Sequence, residues 1–248
     1  VHLTRSEENL GFGRGNNVLV ECGGCDYVLL INPDTVFTED MLGPMIDYLR
    51  AHPEVGVVGP RIVGADGELQ LSRERFPNLR YEIAWQLHDT FWDRFYHSVK
   101  VIAHTRMEDD DLIQPARVEF LWATCWLVRR ELIRDFGLFD EAFRMYDEDM
   151  DFCARLARTR WQIHYFPLVT MIHLGGMSSS PVKKQIMMRR GRYLFYRRHK
   201  GLARALAYRL SMGLLDISKA GKHIVLALLH PGSDHWDRAK GHARLARS

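Results

Sequence analysis

Apolar and polar positions in the first third of the chain follow a strand pattern, then a helix pattern, then a strand pattern again. A continuous apolar run at Tyr27–Ile31 ends in turn residues, as expected of a buried parallel strand. Glu39–Ala51 has helical periodicity with Thr38 as its predicted N-cap, and Val55–Gly59 is the next predicted strand. This order predicts a βαβ unit and therefore an α/β fold.

Short strands and turns are predicted over most of the next hundred residues. An Asp-Gly turn at residues 66–67 predicts a hairpin, and Gly137 is expected to end a short helix over Arg130–Phe136. The predicted strands are Arg61–Val63, Glu68–Leu71, Val118–Val128, Trp161–Tyr165 and Val169–Ile172. Residues 72–116 follow no period, are rich in aromatic residues and end in an acidic run, 108–111, which together are typical of a functional loop.

A dense group of carboxylates stands where a further helix is predicted to begin. Its members are Asp147, Glu148, Asp149 and Asp151. The apolar residues Met150, Cys153, Ala154 and Ala157 recur at helical spacing behind it. Capping of the helix N-terminus would explain such a group. A second acidic position, Asp34, follows the first predicted strand, and two separated carboxylate sites favour a metal-assisted active site instead.

The C-terminal part of the chain is helical, basic and amphipathic. From residue 181 onward there are 16 Lys and Arg against 3 Asp, whereas residues 1–180 hold 18 basic and 28 acidic side chains. Leucines recur every four residues at positions 202, 206, 210 and 214. Such a tail is expected to meet an anionic partner, either a membrane surface or nucleic acid, and its apolar face favours the membrane.

The composition is that of a soluble globular protein, with 46% hydrophobic and 26% charged residues in 248. We predict one α/β domain over residues 1–180 and a helical tail over 181–248. No signal peptide is visible, and no apolar run is long enough to span a membrane. Cys22 and Cys25 have the C-x-x-C spacing of a redox or zinc site, but no second pair completes it. Incidental thiols in a reducing compartment are the favoured interpretation.

Three groups of candidate functional residues are expected to lie at one edge of the sheet, because ligands of open α/β sheets bind at the carboxyl ends of the strands. Asn32 and Asp34 follow one strand, and His173 ends another. The acidic helix start supplies Glu148 and Asp149. A carboxylate oxygen suits Mg²⁺ or Mn²⁺, and manganese also accepts a histidine nitrogen. A structural role for His173, beside a Gly-Gly turn, is the alternative.

These residues resemble inverting glycosyltransferases of family 2, which have the GT-A fold, and most closely a bacterial rhamnosyltransferase-like branch. The matching segments, in chain order, are Glu8–Gly13, Gly15–Asn17, Leu29–Thr35, Gly137–Glu141, Glu148–Cys153 and His173–Gly176. The resemblance implies a Rossmann-like mixed sheet flanked by helices, followed by the basic amphipathic helical tail. The chain opens where the third strand of the family is expected, so the N-terminal part of the domain is predicted to be missing.

The resemblance also implies a role for each matching residue. Asp149 corresponds to the catalytic base, and Glu148 would orient the acceptor or share that role. Asp34 and His173 would hold Mg²⁺ or Mn²⁺ beneath the donor diphosphate. The positions that match the donor site are Asn9, Gly11, Asn17, Asn32 and Asp34. Like charges around Asp149 are expected to raise its pKa and the helix start to lower it.

The implied function is transfer of rhamnose or another hexose from a dTDP- or UDP-sugar, with inversion, to a glycan or lipid-linked acceptor. The implied process is bacterial cell-surface polysaccharide assembly. The tail would hold the enzyme against the cytoplasmic face of the cell membrane, and no nucleic-acid partner is expected.

Three alternatives stay open at this point. A chain without the first part of the domain could be an incomplete transferase that serves as a binding or scaffold module. The basic tail, with Tyr193, Phe195 and Tyr196 among its cations, could bind nucleic acid. Paired carboxylates also serve metal-dependent nucleotidyltransferases and nucleases.

Overall fold

The computed structural model describes residues 3–21, 24–87, 112–175, 181–230 and 234–248. Cys22 and the acidic run at 108–111 lie outside these ranges. The chain separates into two compact units, one within Val1–Phe76 and Arg106–Met177, the other within Pro77–Thr105 and Ser178–Ser248. The division after residue 180 stays a prediction.

The first unit contains a mixed sheet and four described helices. Its strands are β1 (Tyr27–Ile31), β2 (Thr35–Phe37), β3 (Val55–Val63), β4 (Arg73–Glu74), β5 (Ala116–Arg117), β6 (Phe120–Leu121), β7 (Cys125–Arg129) and β8 (Gln162–His173). Its helices are α1 (Gly11–Val20), α2 (Leu42–Ala51), α4 (Arg130–Phe136) and α5 (Glu148–Leu156), and α3 (Leu79–Leu87) belongs to the second unit. The main sheet has the order β1-β7-β3-β8-β2, with β5 paired to β8.

The strand directions place three carboxyl ends at one edge of the sheet. β7 runs antiparallel to both β1 and β3, and β3 runs parallel to β8, so β1, β3 and β8 point the same way. The two strands of the predicted βαβ unit, β1 and β3, are therefore parallel. They are not neighbours, because β7, which comes later in the chain, pairs antiparallel with both and lies between them. The predicted α/β fold with a mixed sheet is confirmed.

Helices cover both faces of this sheet. α2 packs on one face through Met45 and Leu49, which share a buried cluster with Cys125 and Leu127 of β7. Successive side chains of a strand point to opposite faces, so Trp126 faces the other way. There its ring lies 5.4 Å from that of Phe152 in α5.

Helix α2 begins three residues later than predicted, and Thr38 is not its N-cap. Asp40 accepts a hydrogen bond from the Gly43 N–H at 3.2 Å and so caps the first turn. Glu39, predicted in that turn, instead accepts a hydrogen bond from the Thr170 N–H at 2.7 Å. The contact of Glu39 with β8 joins residues 131 positions apart, which local pattern does not reveal.

Strand boundaries differ from the predictions where the pairing between neighbouring strands is irregular. The two strands predicted within 161–172 form the single twelve-residue strand β8. Its pairing with β3 shifts register between Pro60 and Arg61 of β3. The strand predicted over Val118–Val128 is divided into β6 and β7. The predicted hairpin is present, with Gly67 at φ +80° in its turn and the Gln70 N–H donating to the Ile62 carbonyl at 2.9 Å.

The second unit is helical where the structure describes it. Besides α3 it contains α6 (Pro181–His199), α7 (Leu202–Leu229) and α8 (His235–Ala246). Tyr196, Ala205, Tyr208 and Met212 form its buried cluster. The predicted leucine stripe lies outside this cluster, since Leu210 and Leu214 are 66% and 67% exposed. None of the described helices is long and apolar enough to cross a membrane.

Candidate active site

The turn between β1 and β2 fixes Asp34 at the carboxyl edge of the sheet. The Thr35 hydroxyl donates to the Asn32 carbonyl at 2.8 Å, and the Asn32 N–H donates to the Thr124 carbonyl at 3.0 Å. The Asp34 carbonyl accepts a hydrogen bond from the Leu174 N–H at 2.8 Å, just after β8 ends. The groups that bond to this turn from outside, the Thr124 carbonyl and the Leu174 N–H, are both backbone groups. They lie next to β7 and β8, so the sheet fixes the geometry of the turn.

His173 lies beside Asp34, as the sequence predicts. Its Nε2 is 3.4 Å from Oδ1 of Asp34, and both side chains are only partly exposed. Thr35 and His173 are register partners in the β2–β8 pair, which explains this proximity. The strand pairing thus joins two residues that are 139 positions apart in the sequence.

Gln70 holds the imidazole of His173 from the other side. The Gln70 Nε2 donates to the His173 carbonyl at 2.9 Å, so its Oε1 faces Nδ1 of the ring at 2.8 Å. A carbonyl oxygen only accepts, so Nδ1 donates to it, and the lone pair of a neutral ring would then be on Nε2, which faces Asp34. A nitrogen lone pair and a carboxylate oxygen this close together fit a divalent cation.

The donor set at this position is small. Among the residues that the structure describes, no group of three or more His, Cys, Asp or Glu side chains could hold a metal ion. A cation bound here would have several coordination positions left for water or substrate phosphates, which is the usual arrangement for Mg²⁺. The residues present therefore fit a cation that is bound together with a phosphorylated substrate.

The acidic helix α5 begins after an unusual backbone reversal. Tyr146 and Asp147 both have positive φ values, 69° and 64°, and they are the two non-glycine residues with this conformation in the described part of the chain. Such residues cost free energy and occur often at functional sites. The reversal comes directly before Glu148 and Asp149, the first two residues of α5.

Asp149 is half-buried and held by two backbone donors. Its Oδ2 accepts a hydrogen bond from the Ala123 N–H at 3.1 Å, and its Oδ1 accepts one from the Met150 N–H at 2.8 Å. Burial raises the pKa of Asp149 to about 6, the charge of Asp147 adds to the rise, and the backbone hydrogen bonds oppose it. Asp149 is thus mainly ionised at neutral pH and can accept a proton.

Glu148 is more deeply buried, with 5% of its surface exposed. Burial raises its pKa to about 8, and the charges of Asp149 and Asp147 add to the rise. Its Oε2 has no hydrogen-bond partner among the described residues. The raised pKa favours the protonated form of Glu148. Like charges were expected to raise the pKa of the base, but burial is the larger cause for both carboxyls.

The remaining carboxylates of the group have other contacts. Asp151 is fully buried and accepts a hydrogen bond from the Arg155 Nε at 2.7 Å. Arg155 also donates from Nη2 to the Leu138 carbonyl at 2.6 Å. Asp147 occupies the N-cap position without a side-chain capping bond to the helix. Structural anchoring therefore explains Asp151, and helix capping does not explain the group as a whole.

Two consecutive residues connect the acidic helix with the Asp34 turn. Ala123 donates to the side chain of Asp149, and Thr124 accepts from the backbone of Asn32. Both precede β7, whose first residue, Cys125, pairs with Ile31 at the end of β1. The structure thus links Asp149, through these two residues, to the turn that contains Asn32 and Asp34, and His173 lies beside Asp34.

The predicted donor-loop residues make contacts within the protein. The Asn9 Oδ1 accepts a hydrogen bond from the Gly11 N–H at 2.9 Å, at the start of α1. Gly11 has φ +74°, and a Cβ there would lie 2.2 Å from the Arg144 carbonyl oxygen. Asn17 bonds both the N–H and the carbonyl of Phe139, at 3.0 and 2.8 Å. Their part in donor binding stays a prediction.

Sequence reasoning missed Gln70 and the N–H of Ala123. Gln70 follows an Asp-Gly turn by three residues, and nothing in the local pattern distinguishes it from any polar hairpin residue. A backbone N–H has no side-chain signature at all. Both depend on contacts between segments that are distant in the chain, and only the fold supplies these contacts.

The chain is similar in sequence to known bacterial rhamnosyltransferases. One of Mycobacterium tuberculosis, N-acetylglucosaminyl-diphospho-decaprenol L-rhamnosyltransferase, is 27% identical over 221 residues, 83% of this chain and 70% of the relative. Rhamnosyltransferase WbbL of Escherichia coli is 26% identical over 171 residues, 66% of this chain and 60% of the relative.

A solved structure shares the fold. The crystal structure of GalNAc-T7 with UDP, GalNAc and Mn²⁺ superposes with a TM-score of 0.50 at 13% identity, covering 81% of this chain and 39% of that one. The likeness agrees with the expected GT-A fold. The family model for glycosyl transferase family 2 matches residues 1–137, more than half of the chain. This protein therefore belongs to glycosyl transferase family 2 and is a glycosyltransferase.

Proposed function

We propose that the protein transfers rhamnose or another hexose from a nucleoside-diphosphate sugar to a lipid-linked or glycan acceptor, with inversion at the anomeric carbon. The observation that carries this proposal is the bridge of Ala123 and Thr124. It joins a carboxylate able to accept a proton, Asp149, to the turn that presents Asp34. A base and a diphosphate-binding position at one edge are the two requirements of a direct displacement.

The proposed reaction is a single displacement. Asp149 accepts the proton of an acceptor hydroxyl as that oxygen bonds to the anomeric carbon, and the bond from this carbon to the diphosphate breaks. The nucleoside diphosphate leaves with the electron pair of that bond. In its protonated form, which the raised pKa favours, Glu148 can donate a hydrogen bond to the acceptor. Mg²⁺ or Mn²⁺ held by Asp34 and His173 would stabilise charge on the departing diphosphate.

The relatives support the choice of substrates. Two of them are named as rhamnosyltransferases, and the name of one gives a diphospho-decaprenol acceptor. We infer a dTDP- or UDP-sugar donor and a lipid-linked acceptor in cell-wall polysaccharide assembly. The described part of the chain holds no helix able to cross a membrane. The basic second unit, with its exposed leucine stripe, supports peripheral binding to the inner face of the cell membrane.

The test is a product assay with the full chain. The chain is incubated with dTDP-rhamnose, UDP-glucose or UDP-N-acetylglucosamine, with and without Mn²⁺, and with an N-acetylglucosaminyl-diphospho-lipid analogue. We expect metal-dependent release of nucleoside diphosphate from one donor and extension of the analogue. Release of inorganic pyrophosphate instead would identify a nucleotidyltransferase. Donor binding without transfer, by a folded chain, would identify an incomplete transferase.

A further inference from the structure

One large aromatic side chain is exposed in an otherwise buried segment of the first unit. Trp122 has 40% of its surface exposed, whereas the eight other residues of the segment 120–128 are all buried. A single exposed apolar side chain needs no explanation at an arbitrary place on a protein surface. Trp122 is different because the residue that follows it, Ala123, bonds the proposed base.

The backbone around Trp122 is held by hydrogen bonds to two different parts of the unit. The Trp122 N–H donates to the carbonyl of Ser72, a buried residue that precedes β4, at 2.7 Å. The next N–H, that of Ala123, donates to Oδ2 of Asp149 at 3.1 Å. Trp122 therefore lies between Ser72 and the first turn of α5, and contacts within the protein fix the place of its backbone.

Trp122 and the carboxylate of Asp149 share one peptide group. The N–H that bonds Oδ2 of Asp149 belongs to the peptide bond between Trp122 and Ala123. A hydroxyl that gives its proton to Asp149 must come within about 2.6–3.2 Å of a carboxylate oxygen, and each oxygen keeps a further lone pair for it. The sugar that carries this hydroxyl therefore has to lie close to the segment that contains Trp122.

A buried aromatic ring supports the indole of Trp122. The ring centroids of Phe120 and Trp122 are 6.5 Å apart with an interplanar angle of 34°, and Phe120 is buried. Such a separation is within the range in which aromatic rings attract one another. The indole is thus backed by the protein on one part of its surface and open to a ligand on the rest.

The chemistry of an indole suits a neutral sugar ring. One face of a hexose ring carries several C–H groups, and the negative π face of an indole attracts their slightly positive hydrogens. The hydroxyls at the edge of the sugar stay available to polar partners such as Asp149. The same negative face would repel a diphosphate, so the indole suits an acceptor sugar better than the charged part of a donor.

We propose that Trp122 binds the acceptor, with the acceptor sugar ring stacked on the indole while one hydroxyl of that sugar reaches Asp149. This inference rests on the glycosyl transfer proposed above and adds a residue that selects the acceptor. The stack limits the directions from which the hydroxyl can approach the anomeric carbon, which favours displacement. Acceptors with an apolar sugar face beside the reacting hydroxyl are therefore preferred.

The experiment uses the full chain and three variants. Trp122→Ala removes the indole, and Trp122→Phe keeps an aromatic face at the same position. Trp236→Ala is the matched control, because it removes a tryptophan of α8 that is 46% exposed. The acceptor is a soluble N-acetylglucosaminyl-diphospho-lipid analogue, and the donor is the one that the unmodified chain uses. The KM for the acceptor, the Kd for the donor and the rate of donor hydrolysis without acceptor are measured, and thermal melting checks folding.

We expect Trp122→Ala to raise the KM for the acceptor about tenfold or more, as for loss of a favourable aromatic contact. Trp122→Phe should raise it about threefold at most, since a phenyl ring keeps part of the stacking surface. The Kd for the donor and the rate of donor hydrolysis should not change, because a water molecule needs no stacking surface to reach Asp149. Trp236→Ala should match the unmodified chain in all three measurements.

Several results would overturn the proposal. An unchanged KM for the acceptor in folded Trp122→Ala would show that the indole does not bind the acceptor. Slower donor hydrolysis in that variant, in step with slower transfer, would mean that Trp122 only positions Asp149. A weaker Kd for the donor would assign the indole to the donor sugar instead. Absence of transfer by the unmodified chain with every donor would refute the proposed function, and with it the inference that rests on it.

Discussion

At the scale of single residues, position decides which member of a group of like side chains has a chemical role. Asp149 and Asp151 are two positions apart in α5 and of the same type. Asp151 is completely buried against Arg155, whereas Asp149 is held by backbone N–H groups at the sheet edge. An arginine partner neutralises a carboxylate, but backbone donors leave it able to accept a proton.

Replacing Asp149 by asparagine should therefore remove the base. We expect Asp149→Asn to lower kcat at least 100-fold, the usual range for loss of a general base, while the Kd for the donor changes little. Turnover is measured by nucleoside diphosphate release and donor affinity by calorimetry. Asp47→Asn, at an exposed carboxylate of α2, is the control and should retain full turnover. Near-normal turnover in Asp149→Asn would exclude it as the base.

Glu148 should make stability depend on pH. Its pKa is raised in the folded chain, so between about pH 4.5 and 8 the folded chain holds a proton that the unfolded chain has released. Stability therefore falls as pH rises through this window. Glu148→Gln keeps the neutral form, so its Tm at pH 8 should exceed that of the unmodified chain by about 2–4 °C or more.

Thermal melting at pH 5 and pH 8 checks this expectation. At pH 5 the two proteins should melt at nearly the same temperature, because most of the Glu148 side chains are then protonated in the folded state. Glu68→Gln, at an exposed site, is the control variant. A Glu148→Gln variant that is less stable at pH 8 would show that the buried carboxyl is favourably ionised.

Gln70 should act on the metal through His173. Gln70→Leu removes both hydrogen bonds to this residue and releases the ring from the tautomer that exposes Nε2. We expect Mn²⁺ affinity in the presence of UDP to fall about 10- to 100-fold, the usual loss for such partners. Calorimetric titration measures it. Gln162→Leu, which removes a contact with His164, should leave it unchanged.

At the scale of elements, tertiary contact sets boundaries that local pattern leaves open. Two separate strands, Trp161–Tyr165 and Val169–Ile172, were predicted within 161–172. Pairing with β3 instead keeps β8 continuous, and a register shift accommodates the irregular residues. A helix start was predicted at the acidic group, where the carboxylates and the apolar period coincide, and α5 begins there at Glu148. Elements with agreeing local signals were thus predicted best.

Two of the three glycines of α1, Gly11 and Gly15, provide a test at this scale. Gly11 has positive φ and lies against the Arg144 carbonyl, whereas Gly15 lies inside the helix, where an added Cβ would have no atom within 4 Å. Gly11→Ala should destabilise the chain by about 1–3 kcal/mol. Gly15→Ala should stabilise it by up to about 1 kcal/mol through helix propensity. Urea unfolding measures both, and equal effects would contradict the assigned contact of α1 with residue 144.

At the scale of the whole molecule, charge and apolar surface are segregated along the chain. The excess of cations after residue 180 and the exposed face of α7 belong to the same unit. Neither feature alone distinguishes a membrane surface from nucleic acid. Their combination favours the membrane, because phosphate backbones offer nothing for a row of leucines to contact.

Membrane binding of the whole chain should therefore depend on the leucine stripe as well as on charge. We expect Leu210→Ser with Leu214→Ser to reduce binding to anionic vesicles more than tenfold, because both side chains are largely exposed and would lose their acyl contacts. Binding at high salt isolates this apolar part. Ser211→Ala and Ser218→Ala on the same helix form the control. Unchanged vesicle binding in the leucine variant would exclude α7 as the contact surface.

Sequence alone determined the α/β class, the acidic helix, the residue types of the site and the basic amphipathic tail. These properties depend on local periodicity and composition, which the chain carries whether folded or not. The insertion of β7 between β1 and β3, the partners of His173 and Asp149 and the raised pKa values of Glu148 and Asp149 depended on tertiary structure. Burial and long-range pairing bring together groups over a hundred residues apart, and no local pattern encodes these contacts.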